Sequence, residues 1–287
     1  MTIKQALTTS SQKLKQKGLE ASYLEAEILL AHALSKDRVW LLSHSEDKIS
    51  WGQTRKYRRL IRRRLSGWPV AYLLGYQEFF NSNFLVNRHT LIPRPETELL
   101  VETAIELAPS QSPREIVDIG TGSGCIIISL AKNMPHPTVA YTGIDISRLA
   151  LKTAQINAAR NGVAKKIKWL KGDLLSPILT KEFSFPLIIT ANLPYLTPEQ
   201  FAASPSIQKE PRLALISGLD GLDAYRRFFK QSIKLKAKDI TFVLEIDPSQ
   251  NQAIRKLAKE YWPQAETSIK IDLRGQERIV VIKIKNQ

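Results

Sequence analysis

Groups that could do chemistry follow four apolar runs of the chain. The first run ends in "VDIGTGSGC", where glycines between a strand and a helix permit a tight turn and let a ligand approach backbone N–H groups. Asp145, Asp173 and Asn192 end the next three runs. If these runs are parallel strands, their carboxyl ends meet at one edge of a sheet, where such folds bind ligands. The sequence therefore predicts one ligand site at that edge.

The spacing of the glycines indicates the type of ligand. The dinucleotide fingerprint G-x-G-x-x-G would need a glycine where Cys125 stands. A G-x-G-x-G loop after Asp118 is instead typical of Rossmann-like methyltransferases that use S-adenosyl-L-methionine, a sulfonium cofactor without pyrophosphate. We expect the loop to hold the amino-acid part of this cofactor, Asp145 to accept its ribose hydroxyls, and Asp173 to bind its adenine amino group. The predicted cofactor-binding residues are Gly120, Thr121, Gly122, Ser123, Gly124, Asp145, Asp173, Leu174 and Asn192.

The segment Asn192–Tyr195, with the sequence Asn-Leu-Pro-Tyr, would face the methyl group of that cofactor. A sulfonium methyl is already electrophilic, so the protein mainly has to position a nucleophile and exclude water. The Asn192 side-chain oxygen and the Leu193 carbonyl can accept both hydrogens of a planar amide or exocyclic amino group, while Tyr195 offers a face for packing. The predicted catalytic residues are Asn192, Pro194 and Tyr195, and the predicted substrate-binding residues are Asn192, Leu193, Pro194 and Tyr195.

The composition is that of a globular protein, since 43% of the 287 residues are hydrophobic. No apolar run approaches the roughly 18 residues that a membrane helix needs, and the N-terminal segment lacks the apolar core of a secretory signal. Cys125 is the single cysteine, which excludes an intramolecular disulfide and suits a reducing compartment. We expect a cytoplasmic monomer without a metal site, in which Cys125 is a buried helix residue rather than a nucleophile.

The first third of the chain shows helical patterns. Ser22-x-x-Glu25 and Ser50-x-x-Gln53 are capping-box patterns that predict two helix starts. The formal net charge of +15 favours an acidic partner such as RNA or a ribosome-associated protein. The run "RKYRRLIRRRL" in the second helix is either a solvated face or a surface that binds protein, RNA or the ribosome. The basic residues off its apolar stripe are Arg55, Lys56, Arg58, Arg59, Arg62 and Arg63.

The patterns divide the chain into three parts. Helical apolar spacing predicts a small N-terminal helical domain over residues 1–73. Apolar and aromatic pieces on both sides of "NSN" predict a β-hairpin linker over residues 74–93. Strand and helix patterns alternate over residues 94–287, which predicts an α/β domain with a mostly parallel sheet. Only "RGQE" separates the last two strands, so we expect them to pair antiparallel.

A series of motifs extends over nearly the whole chain, in the order "AEILLAHAL", "GWPVAYLLGYQEFF", "LIPRPETELLVE", "DIGTGSGC", "GIDIS", "NLPY", "EPRLAL", "GLDGL" and "DLRGQERIVV". With these motifs the chain resembles the release-factor glutamine N5-methyltransferases, the HemK/PrmC family. The resemblance implies a class I S-adenosyl-L-methionine-dependent methyltransferase domain, a hairpin linker and an N-terminal substrate-recognition domain. It implies that the methyl acceptor is the Gln of the Gly-Gly-Gln loop in class I peptide-chain release factors. It also implies cofactor contacts at residues 120–124, Asp145, Leu174 and Asn192, and substrate contacts at Asn192–Tyr195.

Two positions depart from the family pattern. Leu193 replaces the first proline of the usual Asn-Pro-Pro-Tyr, which removes a φ restriction worth about 0.4–1 kcal/mol but keeps the carbonyl acceptor. Ser217 stands where the family usually has glycine, and we expect a loop effect only. Asn-Leu-Pro-Tyr also occurs in ribosomal RNA adenine dimethyltransferases. The alternatives are therefore a ribosomal RNA adenine N6-methyltransferase, a glutamine methyltransferase for a ribosomal protein, and a cofactor-binding module that docks on RNA or the ribosome without catalysis.

Overall fold

The computed structural model of the chain describes residues 1–108, 114–134 and 139–285. The chain forms two compact units. The first unit comprises Met1–Tyr76 with Ser204–Lys209, and the second comprises Gln77–Ala203 with Glu210–Gln287. No helix within the described ranges is long and apolar enough to cross a membrane.

The first unit is built from helices around one apolar core. Its helices are α1 (Ile3–Gln16), α2 (Ser22–Leu34), α3 (Arg38–Ser43), α4 (Trp51–Leu65) and α5 (Val70–Leu74). The apolar stripe predicted for α4 contributes Tyr57 to this core, where the side chain is almost completely buried. The Tyr57 hydroxyl donates to the Ala26 carbonyl at 3.2 Å, so α4 is joined to α2 by a hydrogen bond as well as by apolar packing.

Of the two predicted capping boxes, the one at Ser50 is confirmed, with reciprocal bonds between side chains and backbone across the first turn of α4. The one at Ser22 is wrong. Ala21 is the N-cap of α2, and its carbonyl already accepts the Glu25 N–H that Ser22 was expected to bind. Both carboxylate oxygens of Glu25 bind Arg64 instead, at 2.7 and 2.9 Å. A tertiary ion pair therefore takes the side chain that the local pattern assigned to the cap.

A two-stranded hairpin, β1 (Tyr76–Phe79) and β2 (Ser82–Leu85), follows α5. The predicted hairpin is confirmed, but its turn lies at Phe80 and Asn81 rather than across "NSN". These two residues have left-handed φ angles of 46° and 55°, as a two-residue type I′ turn requires. Glu98 Oε1 accepts the Phe80 N–H at 2.9 Å and so supports this turn.

The second unit is built on a seven-stranded sheet. Its strands are β3 (Glu115–Ile119), β4 (Ala140–Asp145), β5 (Ile167–Lys171), β6 (Leu187–Ala191), β7 (Asp239–Glu245), β8 (Glu266–Ile271) and β9 (Glu277–Lys285). Their order across the sheet is β5-β4-β3-β6-β7-β9-β8. The strands from β3 to β7 are parallel, and β9 pairs antiparallel with β7 and β8. The predicted sheet, with its antiparallel final pair, is therefore confirmed.

Helices cover this sheet. They are α6 (Glu98–Glu106), α7 (Cys125–Asn133), α8 (Arg148–Arg160), α9 (Pro198–Ala202), α10 (Asp223–Ser232) and α11 (Asn251–Tyr261). One apolar core contains side chains of α6 and α7, and a second contains side chains of α10 and α11. Strands β3 and β6 are buried along their whole length, as expected of central strands covered on both faces. Because these strands are parallel neighbours, the residues that follow them emerge at the same edge of the sheet.

Candidate active site

The glycine loop, residues 120–124, connects β3 to α7. Gly120, Gly122 and Gly124 have left-handed φ angles of 69°, 57° and 81°, which favour glycine. A Cβ added to Gly122 would approach only the Gly120 carbonyl oxygen, at 3.7 Å, and would otherwise meet open space. A Cβ on Gly124 would lie 2.8 Å from Ile128 Cδ1. Gly122 therefore leaves room for a ligand, whereas Gly124 permits close packing of the following helix.

A cleft of about 220 Å³ lies at the carboxyl edge of the sheet. It brings together residues that the sequence analysis selected from separate strand ends. Those on its wall are Gly120, Gly122, Asp145, Asp173, Leu174, Asn192, Leu193 and Pro194. Other parts of the wall come from Arg88, His89, Pro211 and Leu213, for which the sequence patterns gave no prediction.

A smaller cavity of about 40 Å³ shares Gly120, Gly122 and Asn192 with this cleft. Thr121 and Ser123 line the smaller cavity, whereas Gly124 and Tyr195 line neither space. The Tyr195 ring packs against the apolar core, and burial raises the pKa of its hydroxyl, which therefore stays neutral. The stacking face expected of Tyr195 stays a prediction.

Asp145 ends β4 and lies on the cleft wall, where the sequence predicted a ribose-binding acid. Its Oδ2 accepts the Gly122 N–H at 2.8 Å, and its Oδ1 accepts the Ser147 N–H at 2.8 Å. Burial raises the pKa of Asp145, and these two hydrogen bonds oppose the shift. Each carboxylate oxygen has more than one lone pair, so Asp145 can hold the glycine loop and accept ligand hydroxyls at the same time.

Asp173 and Leu174 follow β5 on the same wall. Both carboxylate oxygens of Asp173 accept from Arg227 Nη1, at 3.1 and 3.2 Å. Asp173 therefore already has a cationic partner, although its oxygens keep lone pairs for a further donor. Leu174 is buried and has a left-handed φ of 52°, which is uncommon for a residue with a side chain. Such backbone strain persists where the surrounding structure fixes it, and it is frequent at ligand sites.

Hydrogen bonds to neighbouring side chains stabilise the backbone of the Asn192–Tyr195 loop. The Leu193 side chain is 2% exposed. Burial raises the pKa of the Tyr225 hydroxyl, and a hydrogen bond from the Leu193 backbone opposes this shift. A proline has no N–H to donate, so this bond is possible only because Leu193 replaces the first proline of Asn-Pro-Pro-Tyr. Gln250 Nε2 donates to the Tyr195 carbonyl at 3.1 Å. Hydrogen bonding therefore supplies part of the restraint that a proline at this position would give.

Asn192 follows β6 and borders both the cleft and the smaller cavity. Its Nδ2 donates to Thr97 Oγ1 at 3.2 Å, which fixes the amide plane. Within the described residues, no group donates a hydrogen bond to Asn192 Oδ1. The amide oxygen is therefore available as an acceptor on a wall common to both cavities.

Glu210 of "EPRLAL" joins that motif to "IPRP". Its buried carboxylate accepts the Ile92 N–H at 3.0 Å and pairs with Arg94 Nη2 at 2.5 Å. Ile92 and Arg94 line the smaller cavity. Two motifs that are distant in sequence therefore form one wall, and the role of Glu210 is to fix the loop that carries "IPRP".

Several residues beside the site were not predicted from the sequence. Thr97 lies within "IPRPETE", but the motif does not indicate that it binds Asn192. Glu245 is an acidic residue at the end of the apolar run "ITFVLEI". Asp145 was predicted from the same kind of position, so Glu245 could have been predicted too. Arg227 lies in the amphipathic helix α10 and had no comparable signal.

The Cys125 thiol is buried at the start of α7, and burial raises its pKa to about 12. A thiol with this pKa stays protonated near neutral pH and is a poor nucleophile. The prediction that Cys125 is a structural residue is therefore supported. Among the residues that the structure describes, no group of His, Cys, Asp and Glu side chains has an arrangement that could hold a metal ion.

The polar groups and the open space of the cleft are suited to binding S-adenosyl-L-methionine. Gly120 and Gly122 leave their backbone accessible on the wall, and Asp145 provides a buried carboxylate beside them. Leu174 adds an apolar side chain to the same wall. These residues would hold the cofactor without a pyrophosphate-binding loop.

We expect Gly122→Ala to weaken cofactor binding at least tenfold, a loss of about 1.4 kcal/mol, because the new Cβ would enter the open space at the loop. Gly162→Ala is the matched control: Gly162 also has a left-handed φ, of 73°, and a Cβ there would meet nothing within 4 Å. Each change costs roughly 1–2 kcal/mol of backbone strain. Titration calorimetry and thermal unfolding separate the two effects. Equal cofactor affinities for both variants would contradict the assignment of the loop.

Comparison with known proteins identifies both parts of the chain. The family model of the PrmC N-terminal domain matches residues 5–75, and a methyltransferase domain model matches residues 116–206. The release factor glutamine methyltransferase of Moorella thermoacetica is 37% identical over 279 residues, covering 97% of each chain. The release factor glutamine methyltransferase of Koribacter versatilis is 35% identical over 289 residues, covering 98% of each chain.

A solved structure shows the same fold at low sequence identity. The catalytic domain of human Mettl16, solved in complex with MAT2A 3′UTR hairpin 1, aligns with a TM-score of 0.55 and 17% identity. The alignment covers 79% of this chain and 81% of that one. It supports the class I methyltransferase fold and nothing more specific. Because these two relatives align over nearly the full length of both chains, the chain belongs to the release factor glutamine methyltransferases.

Proposed function

We propose that this enzyme transfers a methyl group from S-adenosyl-L-methionine to the side-chain amide nitrogen of the Gln in the Gly-Gly-Gln loop of class I peptide-chain release factors. Family membership supports this reaction. The observation that carries it here is Asn192, whose Oδ1 accepts no hydrogen bond from the residues that the structure describes and lies on the wall common to the cleft and the smaller cavity. The acceptor fits a primary amide, which has two hydrogens to donate.

When bound, S-adenosyl-L-methionine supplies a methyl group attached to a positively charged sulfur. The carbon of this methyl group is the atom that a nitrogen lone pair can attack. On this proposal the backbone of the glycine loop holds the amino-acid part. Asp145 accepts the ribose hydroxyls through lone pairs that the Gly122 and Ser147 N–H groups leave free. Asp173 accepts the adenine amino group while it stays paired with Arg227.

The substrate amide is held by Asn192 Oδ1 and the Leu193 carbonyl, which accept one hydrogen each. These two bonds orient the nitrogen, and the reaction then depends on alignment more than on a base. The nitrogen held by these two acceptors would bond to the methyl carbon as the carbon–sulfur bond of the bound cofactor broke, and it would then lose one proton to water. Pro194 lines the cleft beside these acceptors and helps to exclude water from the reacting nitrogen.

The test uses the purified enzyme, S-adenosyl-L-methionine with a labelled methyl group, and three acceptors. These are a class I release factor, its Gly-Gly-Gln→Gly-Gly-Ala variant and total ribosomal RNA. We expect label in the wild-type factor alone. Label in RNA alone would support the adenine N6-methyltransferase alternative.

We further propose that residues 1–73 recognise the substrate protein, that residues 74–93 link the domains and that residues 94–287 carry out catalysis. The match of the PrmC N-terminal domain to residues 5–75 supports the first of these boundaries. Residues 1–76 contain 14 basic and 6 acidic side chains, so much of the net charge lies in this part of the chain. This asymmetry favours an acidic partner surface.

The basic side chains of α4 do not all lie on one surface. Arg64 pairs with Glu25, and the Arg63 guanidinium lies over the Trp68 ring at 4.3 Å. A groove of about 520 Å³ between α1 and α4 is lined by other cations and by an exposed tryptophan. These residues are Lys13, Trp51, Arg55, Arg58 and Arg62. Cations combined with an exposed ring are typical of sites for single-stranded nucleic acid.

If ribosomal RNA binds this groove, we expect Arg58→Gln with Arg62→Gln to weaken binding and to reduce the salt slope of log K by about 1.4–1.8. Lys234→Gln with Lys238→Gln is the control, because it removes two exposed cations from the second unit. Filter binding at several salt concentrations measures both slopes. Equal slopes in the two double variants would show that the groove is a solvated face.

A further inference from the structure

The side chain of Glu245 is buried beside the proposed active site. Glu245 ends β7, is 1% exposed, and forms no salt bridge within the described part of the chain. Its Oε2 has no hydrogen-bond partner there either. Burying a carboxylate without an ion pair and a full set of hydrogen bonds costs free energy. The position of Glu245 near Asn192 and Thr97 indicates a function for it.

Hydrogen bonds connect Glu245 to Asn192 through Thr97. Asn192 Nδ2 donates to Thr97 Oγ1 at 3.2 Å, and the Thr97 side chain is almost completely buried. Hydrogen bonding by the Thr97 and Asn192 side chains lowers the pKa of the Glu245 carboxyl, against the larger effect of burial. A hydroxyl has a single hydrogen to donate, so Thr97 gives its own to Glu245 while it accepts one from Asn192. An ionised carboxylate only accepts, and it therefore sets the direction of every bond in this network.

The direction of the network decides which end of the Asn192 amide faces the cleft. With Nδ2 bound to Thr97, Oδ1 is left for a substrate donor. The reverse orientation would place Oδ1 beside the carboxylate of Glu245, where two acceptors repel, and would present an NH2 group to the substrate nitrogen. Only the first orientation gives the acceptor that the methyl transfer needs.

We propose that Thr97 and Glu245 are positioning residues that keep Asn192 Nδ2 turned inward and Asn192 Oδ1 turned toward the substrate amide. This inference rests on the proposed function for the identity of the substrate. Neither residue touches the reacting atoms. Their contribution is to hold one of two amide orientations, so that the acceptor is in place before the substrate binds.

The ionisation of Glu245 makes the network sensitive to pH. Burial raises the pKa of Glu245 to about 7, with a further increase from Glu96 and an opposing effect from Arg278. Below that pH the carboxyl is protonated and can donate, so it no longer fixes the direction of the bonds. The ionised form, and with it the rate, increases as the pH rises through about 7. The titratable or charged groups that act on Glu245 or feel its charge are Glu96, Cys125, Tyr195, Tyr225 and Arg278.

Glu245→Gln separates this titration from others in the site. Cys125, Tyr195 and Tyr225 have pKa values raised well above neutrality, so they stay protonated in this range. Burial also raises the pKa of Asp118 to about 7, and any step from Asp118 persists in the variant. We expect the difference between the kcat–pH profiles of the wild-type enzyme and Glu245→Gln to show a step near pH 7.

Thr97→Val tests the hydroxyl at nearly constant volume. We expect kcat to fall by up to about 10²-fold, the scale for a misplaced reacting group, with little change in cofactor affinity. Thr97→Ser keeps the hydroxyl and restores most of the rate. Thr103→Val is the matched control on α6, since Thr103 is equally buried and its hydroxyl has no hydrogen-bond partner among the described residues. We expect that variant to retain wild-type kcat.

A second measurement does not depend on the substrate. In the full-length protein labelled with ¹⁵N, the Asn192 side-chain amide signal is assigned by its absence from Asn192→Ala. We expect this signal to shift with pH around a midpoint near 7, to stop shifting in Glu245→Gln, and to exchange faster with solvent in Thr97→Val. A signal that titrates equally in the wild-type protein and Glu245→Gln would overturn the inference.

The outcomes distinguish this inference from the proposed function. If the wild-type enzyme fails to methylate a release factor but the amide signal responds as expected, the substrate is wrong and the positioning network stands. If the enzyme methylates the factor but Thr97→Val matches Thr103→Val in kcat and in its pH profile, the network has no positioning role.

Discussion

Asn192→Ala lowers kcat for methyl transfer by about 10²-fold or more, the scale for losing one preorganised polar group. The change removes Oδ1, which on this account accepts a hydrogen of the substrate amide, and it leaves the Thr97 hydroxyl without its donor. The glycine loop and Asp145 are untouched, so cofactor affinity changes far less than kcat. Single-turnover kinetics with a release factor and calorimetry with the cofactor measure the two quantities.

Asn133→Ala is a control for this prediction, because it removes an asparagine at the end of α7 that lines neither cavity. We expect it to retain wild-type kcat. Wild-type turnover in Asn192→Ala would remove Asn192 from the mechanism. A loss of cofactor binding as large as the loss of rate would instead make Asn192 chiefly a cofactor ligand.

Asp145→Ala raises the Kd for S-adenosyl-L-methionine by about 10- to 100-fold, because a hydrogen bond to a charged group contributes about 1.5–3 kcal/mol. The change removes the acceptor for the ribose hydroxyls and leaves the Gly122 and Ser147 N–H groups without their partner. The glycine loop therefore loses a restraint at the same time. Calorimetric titration with the cofactor measures the effect, and thermal unfolding measures the cost to stability.

Asp173→Asn provides the comparison for Asp145→Ala. The Asp173 carboxylate is partly exposed and already paired with Arg227, and an asparagine oxygen can still accept from an adenine amino group. We therefore expect a smaller increase in Kd. If Asp173→Asn weakens binding more than Asp145→Ala does, the cofactor is oriented differently from the proposal.

The sequence predicts the site where local pattern and topology agree. Asp145, Asp173 and Asn192 each follow an apolar run, and parallel pairing necessarily brings such residues to one edge. The glycine loop is predictable because the left-handed φ at Gly120 and Gly122 favours a residue without a side chain. The selection of cleft residues therefore required only the periodicity of the strands and a parallel sheet.

The sequence does not predict contacts between distant segments. Asn192 and Thr97 are 95 positions apart, and Asp173 and Arg227 are 54 apart. No periodicity specifies such pairs, because they follow from the packing of loops around the sheet. The wrong cap at Ser22 has the same origin, since a distant arginine binds the glutamate that local spacing assigned to it.

Leu193 illustrates a substitution whose effect depends on tertiary structure. From sequence alone it is a proline lost from a catalytic loop. In the structure its side chain is buried in the apolar core, and its N–H hydrogen-bonds Tyr225, which donates to the Glu245 carbonyl. The loop therefore gains a connection to β7 that a proline could not make.

Locating the methyl group in the product identifies the acceptor atom directly. A class I release factor is incubated with the enzyme and S-adenosyl-L-methionine, digested, and analysed by tandem mass spectrometry. We expect one methyl group on the side-chain amide of the Gln in Gly-Gly-Gln. A methyl group on any other residue, or a factor that stays unmodified, would overturn the assignment of this glutamine as the acceptor.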